Sequence, residues 1–212
     1  MDQAERRLQA IDLECIRGQR RLFQHLSFVV NPGELLWVQG ANGSGKTSLL
    51  RLLCGLMRPE AGRVSWCGHE VGKVREQFHS DLLYFGHAAA IKDDLTALEN
   101  LRFGLIQAGV RADPISARSA LAEFGLGQRI DVMARALSQG QRRRVGLAQL
   151  ALARAKPLWI LDEPLTALDR EAAELVRSHL EEHLRRGGSI VLTSHQDVDF
   201  GTASVTRLRL DA

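Results

Sequence analysis

Eight residues, Gly40-Ala41-Asn42-Gly43-Ser44-Gly45-Lys46-Thr47, fit the pattern G-x-x-x-x-G-K-[ST] without a gap. The chemistry open to such a run is the holding of phosphate. Its glycines let successive backbone N–H groups converge on anionic oxygens, and a helix starting at the loop adds its N-terminal donors and dipole. Lys46 has the reach to meet the β- and γ-phosphates of a nucleotide, and the Thr47 hydroxyl is an oxygen ligand suited to Mg²⁺. A merely flexible turn needs the glycines but neither Lys46 nor Thr47. A second group suited to the same chemistry is Asp162-Glu163, which follows the apolar run Leu158-Trp159-Ile160-Leu161. Open α/β sheets bind ligands at the carboxyl ends of their strands. There Asp162 can orient the shell of a Mg²⁺ ion, and Glu163 can take a proton from an attacking water.

Positioning these groups requires a strand before the loop, a helix after it and a buried strand beneath the acids. The sequence supplies all three. Leu35-Leu36-Trp37-Val38 reads as a buried strand running into the glycines, and the stretch from Lys46 continues as a helix. Upstream, Leu26, Phe28 and Val30 alternate on one face of a half-buried strand, and Pro32-Gly33 takes the central positions of a type II turn. Residues 82–86 read as a short strand, 158–162 as a parallel one, 170–186 as an amphipathic helix and 189–194 as another buried strand. Between them the pattern turns helical. Thr96 and Glu99 form a capping box, Asp113-Pro114 is an N-cap followed by proline at the first helical position, and Gly125 is a stop. Strands alternating with helices around a helical middle predict an α/β protein with one domain over 1–212. Its core is 1–88 with 151–212, and its helical lobe is 89–150.

The bulk properties fit a globular chain. It has 212 residues, 45% hydrophobic and 25% charged, with a formal net charge of +3. The mild basic excess suits solubility as well as it suits an anionic surface, so it assigns no nucleic acid. Three cysteines without a CxxC pair predict reduced, structural thiols. The polar, charged first ten residues lack a signal-peptide pattern and no apolar run reaches the length of a bilayer, so the expectation is a cytosolic chain held at a membrane only by partners. His179 and His183 stand one helical turn apart, but without the acid placement of a zinc-protease motif they are expected on a solvated face.

Three further stretches follow in order. Residues 137–141, "LSQGQ", open a helix with Ser138 as N-cap and are followed by Arg142-Arg143-Arg144; then come 165–169, "LTALD", and 193–195, "TSH". With the glycine loop and "LDEP" they resemble the ATP-binding cassette (ABC) ATPases, over essentially the whole chain. That resemblance implies a P-loop fold with a mostly parallel core sheet, an N-terminal antiparallel β subdomain and an inserted helical subdomain. It implies ATP and Mg²⁺ as cofactors, with Lys46, Glu163 and His195 as the catalytic group and Thr47 and Asp162 at the metal. It also implies head-to-tail dimers, in which Ser138, Gly140 and Gln141 meet the nucleotide held by a partner chain and Asp169 crosses the interface. The three arginines are expected partly solvated beside this signature. The family's adenine-stacking aromatic falls at Arg17, whose guanidinium plane can also stack on a base. The family's Q-loop glutamine falls at Ala88, beside His87, which puts its usual coupling in question.

Within that family, "GHAAAIKDDLTALENL" (86–101), "RRLF" (20–23) and the run from the signature to 169 resemble the cytochrome c maturation cassettes, the ATP-binding subunits of haem exporters. The resemblance implies an ATPase on the cytoplasmic face of a bacterial inner membrane, with the membrane subunits CcmB and CcmC as partners. No residue shows haem chemistry, since C-x-x-C-H is absent. An alternative is a soluble ABC ATPase acting on ribosomes or nucleic acid, or the ATPase of another exporter. Such soluble chains usually carry two cassettes or long insertions, whereas here about ninety residues separate the loop from the signature. A GTPase would need an N-K-x-D base-reading motif, which the sequence lacks.

Overall fold

Two strands, β1 (Leu8–Arg17) and β2 (Arg20–Val30), pair antiparallel and lead through Pro32-Gly33 into β3 (Glu34–Gly40). The predicted turn forms: Gly33 has φ 77°, and the Glu34 N–H donates to the Asn31 carbonyl at 3.1 Å. The computed structural model describes residues 6–86, 90–194 and 204–210. After the glycine loop comes α1 (Lys46–Leu53), then β4 (Ala61–Trp66), β5 (His69–Glu70), α2 (Arg75–Asp81) and β6 (Leu82–Phe85). Four helices follow: α3 (Ala97–Gln107), α4 (Pro114–Glu123), α5 (Gln139–Leu147) and α6 (Gln149–Leu152). The chain closes with β7 (Leu158–Asp162), α7 (Arg170–Arg185), β8 (Ser189–Thr193) and β9 (Ser204–Leu210).

Strands β2-β1-β4-β5 make an antiparallel sheet, and β6-β7-β8-β3-β9 make a parallel one. This is the expected α/β class. The inner strands β7 and β8 and the middle of β3 are buried on both faces, which is why they are mainly apolar, whereas the edge strand β9 is largely exposed and carries Arg207 and Arg209. Leu36, Val38, Leu158, Ile160 and Val191 face α1 and the antiparallel sheet. Their neighbours Leu35, Trp37, Trp159, Leu161, Ile190 and Leu192 face the helices on the other side. The local caps form as the sequence predicts. Thr96 and Glu99 exchange both capping-box bonds, Asp113 caps α4 with Pro114 in its first turn, and Gly125 sits just past α4 at φ 73°. Cys15, Cys54 and Cys67 are all free thiols.

The solvated face expected for His179 and His183 is not found. Both are buried, because the side of α7 that carries them is turned inward. His183 stacks on Trp159 with ring centroids 3.8 Å apart, and His179 stacks on Phe124 while its Nε2 lies 2.9 Å from Glu123 Oε1. Burial pushes the His183 imidazole down to about 4, against weaker opposing hydrogen bonds from the backbone at Ser189 and Pro157. A neutral, buried His183 stabilises the fold above the ordinary histidine range. That contribution drains away as pH falls from about 6.5 towards 4, where the unfolded chain binds the proton first. His183→Gln is therefore expected to flatten the loss of stability between pH 7 and 5. Urea unfolding at the two pH values measures it, and an unchanged pH slope in the variant would rule it out.

Candidate functional site

The carboxyl ends of three neighbouring strands converge on one point. Thr193, the last residue of β8, is in register with Val38 of β3 on one side and with Asp162 of β7 on the other. That register brings the start of the glycine loop and the two acids together. Gly40 stands at φ 152°, and a Cβ there would fall 2.6 Å from the Leu210 carbonyl oxygen and 2.5 Å from Ser44 Oγ, so no side chain fits. Gly45, at φ 102°, is the N-cap of α1 and gives that helix no side-chain cap. The first turn of α1 also holds no acid. Its N–H groups are thus left to an external anion, with no carboxylate competing for them.

A cleft of about 240 Å³ opens over this loop, lined by Leu22, Asn42, Gly43, Gly45, Lys46, Thr47, Ser48, Asp162 and Glu163. The buried Lys46 folds over the loop, with Nζ donating to the carbonyls of Gly40 at 2.8 Å and Ala41 at 3.1 Å. Thr47 Oγ1 donates to Asp162 Oδ2 at 2.9 Å, and Thr193 Oγ1 donates to Asp162 Oδ1 at 2.7 Å. Asp162 is therefore clamped through both oxygens, one of them shared with the hydroxyl that the sequence assigned beside it.

Glu163 has an unusual backbone. Its φ is 53°, in the left-handed region, which costs about 1–2 kcal/mol for a residue with a Cβ. Three contacts hold it there. Its N–H donates to Thr193 Oγ1 at 2.8 Å, its carbonyl accepts from the Arg143 guanidinium, and its Oε2 accepts from Thr166 Oγ1 at 3.2 Å. Strain held by surrounding contacts is characteristic of functional turns. Here it swings the Glu163 carboxylate towards the cleft that contains Lys46 and Thr47.

The other expected residues lie elsewhere. Ser138 caps α5 in a capping box whose second member is Gln141, so the Gln141 amide is engaged at its own helix. Gly140 approaches the Ala167 carbonyl, where a Cβ would come within 3.2 Å. Asp169 caps α7 and pairs with Arg144. None of these four lines the cleft of its own chain. Arg17 is exposed at the end of β1, and its Nη1 donates to Met57 Sδ at 3.6 Å; the cleft wall contributed by the β1–β2 hairpin is Leu22. His195, Ala88 and His87 lie outside the described residues. The partly solvated position expected for all three arginines holds for Arg142 and Arg144 but not for Arg143, which is buried. Helical spacing held that signal, since Arg143 stands three and four residues before the buried Gly146 and Leu147. Thr166 and Thr193 lie within the stretches 165–169 and 193–195, but the sequence assigns neither a role, and only a hydroxyl at the end of an otherwise apolar strand hints at that of Thr193.

Comparison with known proteins agrees with this geometry. The family described as ABC transporter matches residues 23–166. The cytochrome c biogenesis ATP-binding export protein CcmA of Nitrosomonas europaea is 53% identical over 203 residues, covering 96% of this chain and 95% of the relative. CcmA of Pseudomonas aeruginosa is 47% identical over 204 residues, covering 95% and 98%. Among solved structures, the ATP-binding subunit of an ABC transporter superposes with a TM-score of 0.78 at 27% identity, covering 89% of this chain and 79% of that one. A dimeric ATP-binding cassette in a post-hydrolysis state with ADP and Pi superposes with a TM-score of 0.80 at 21% identity, covering 96% of both chains. Because the family match runs from within β2 across the glycine loop and through the strained turn at Glu163, the chain belongs to the ABC transporter family, among its ATP-hydrolysing cassettes.

Proposed function

We propose that this chain is the ATPase subunit of a cytochrome c maturation system, working as a nucleotide-closed homodimer on the cytoplasmic side of a bacterial inner membrane. The observation that carries the ATPase chemistry is the meeting of Lys46, Thr47, Asp162 and Glu163 in one cleft. The cytochrome c assignment rests on the CcmA relatives, which match along nearly their whole length. Among the described residues no helix is long and apolar enough to cross a membrane, so attachment falls to partners, which we take to be CcmB and CcmC. We read 89–150 as a helical lobe inserted into the nucleotide-binding core.

Mg²⁺ fits the donor set. Thr47 Oγ1 and an Asp162 carboxylate oxygen are hard oxygen donors side by side at the loop, and Mg²⁺ takes few protein ligands when phosphates and water complete its shell. Bound there, the ion would neutralise charge on the β- and γ-phosphates. Lys46 holds the same oxygens from the loop side, and the α1 N–H groups bind the phosphates between. Glu163 accepts a proton as water adds to the γ-phosphorus and the bond to the β-bridging oxygen breaks, giving ADP and phosphate. Because Ser138, Gly140, Gln141 and Asp169 stay away from their own chain's cleft, we assign them to the nucleotide of a second chain, and His195 to the γ-phosphate.

Recovery of the tagged chain from solubilised membranes tests the assignment. CcmB- and CcmC-type membrane subunits should come with it, whereas ribosomes or nucleic acid in their place would favour the soluble alternative. Arg17 supplies a separate check. We assign it the adenine face, which it reaches by leaving Met57. Stacking is worth about 1–3 kcal/mol per base, so Arg17→Ala should weaken ATP affinity about 5- to 150-fold, and Arg17→Tyr should largely restore it. Equal binding of labelled ATP by Arg17→Ala would place the adenine platform elsewhere, and Leu22 is then the nearest candidate.

A further inference from the structure

Arg143 is a buried cation two residues beyond the signature stretch, on α5, and its surroundings are unusual for a helix-surface position. Its guanidinium lies over the Phe85 ring, with the carbon 5.2 Å from the ring centroid. It donates to the main-chain carbonyl of Glu163, and the Asp162 carbonyl lies at 3.5 Å. Burial lowers its pKa, and the nearby Glu163 and Asp162 carboxylates act in the opposite direction. An arginine starts so high that it stays protonated there. A permanent positive charge is thus fixed behind the peptide that carries the proposed base.

We propose that Arg143 is a positioning residue for ATP hydrolysis: by holding the Glu163 carbonyl it locks the left-handed turn that aims the Glu163 carboxylate into the cleft, and it ties that aim to the signature helix. The inference rests on Glu163 acting as the base. Its physical core is the strained φ of 53°, which relaxes unless the atoms on both sides are held. Thr193 holds the N–H side from β8 and Arg143 holds the carbonyl side from α5. The sheet alone can supply only the first. Two further contacts join α5 to the segment after β7: Gly140 lies against the Ala167 carbonyl, and Arg144 pairs with Asp169. A shift of α5 along its axis therefore moves the base as well as Ser138.

The test compares Arg143→Gln and Arg143→Lys in the membrane complex, measuring kcat, KM for ATP and the melting temperature. Small misplacements of a catalytic group cost up to about 10²-fold, so Arg143→Gln should lower kcat about 10- to 100-fold with KM changed by less than about threefold. Arg143→Lys keeps the charge without the two-carbonyl reach. It should give an intermediate kcat, and it serves as the test if the glutamine variant does not fold. In a Glu163→Gln background, Arg143→Gln should cost little further, because the group it positions no longer accepts a proton. Wild-type kcat in the folded single variants, or a full additional loss in the Glu163→Gln background, would overturn the proposal. Normal turnover by Glu163→Gln alone would instead overturn the assignment of the base on which it rests.

Discussion

Lys46→Ala is expected to bind ATP at least tenfold more weakly and to hydrolyse it too slowly to support cytochrome c maturation. Lys46 is buried, and its ammonium is held at the mouth of the loop by the Gly40 and Ala41 carbonyls, where phosphate oxygens would receive it. A hydrogen bond to a charged group is worth about 1.5–3 kcal/mol, which corresponds to about 10- to 150-fold in affinity. The transition state adds to this, because removal of one donor aimed at developing charge typically costs about 10²–10³-fold in turnover. The fold should survive. Alanine is the best helix former, Lys46 opens α1, and its two bonds lie within the loop, so the melting temperature should move by no more than about 4 °C. ATP binding, turnover in the membrane complex and the yield of holo-cytochrome c read the three consequences separately. Wild-type-like turnover would mean that the phosphates sit somewhere other than this loop.

What the sequence discloses about the site, and what it conceals, divides along a physical line. The glycine loop, the caps at Thr96, Asp113 and Ser138, and the turn at Gly33 are built from hydrogen bonds and backbone angles within a few residues of each other. Local chemistry suffices to read them. The strands 34–40 and 158–162 are legible because burial on both faces leaves uninterrupted apolar runs. The clamp on Asp162 is not local. It depends on the register that sets Thr193 beside both Val38 and Asp162, a pairing that spans more than thirty residues on one side and about 155 on the other. Arg143 is concealed for a similar reason. A run of three arginines suggests solvent; the spacing of Arg143 to Gly146 and Leu147 places it on their face, but only the packing of α5 against the end of β7 and Phe85 shows what that face meets. The histidines of α7 show the limit of an i, i+4 spacing, which places two side chains on one face without saying that the face meets Trp159 and Phe124. Leu22 enters the cleft because the β1–β2 hairpin passes over Gly45, within 3.1 Å of where a Cβ would stand.

Glu163→Gln separates binding from chemistry more cleanly than any other change. The contacts that fix its backbone, from Thr193 to the N–H side and from Arg143 to the carbonyl, are unaffected by the side chain. Thr166 Oγ1 can donate to the glutamine carbonyl oxygen as it does to Oε2. The amide should therefore occupy the same position in the same strained turn, without the capacity to take a proton from water. Base catalysis is typically worth about 10²–10⁴-fold, and turnover should fall by that amount while ATP affinity holds or rises. A rise is expected because the substitution removes a negative charge facing the γ-phosphate. With hydrolysis stalled, two chains should remain closed over two ATP molecules, each held between Lys46 of one chain and Ser138 of the other. Sedimentation in Mg²⁺-ATP would show the dimer, and adding Ser138→Arg should return it to monomer by placing a long cation at the N-cap of α5. The measurement belongs in the membrane complex as well, where the proposed partners would bring two chains together for closure. Normal turnover there would remove Glu163 as the base and leave His195 as the next group to test.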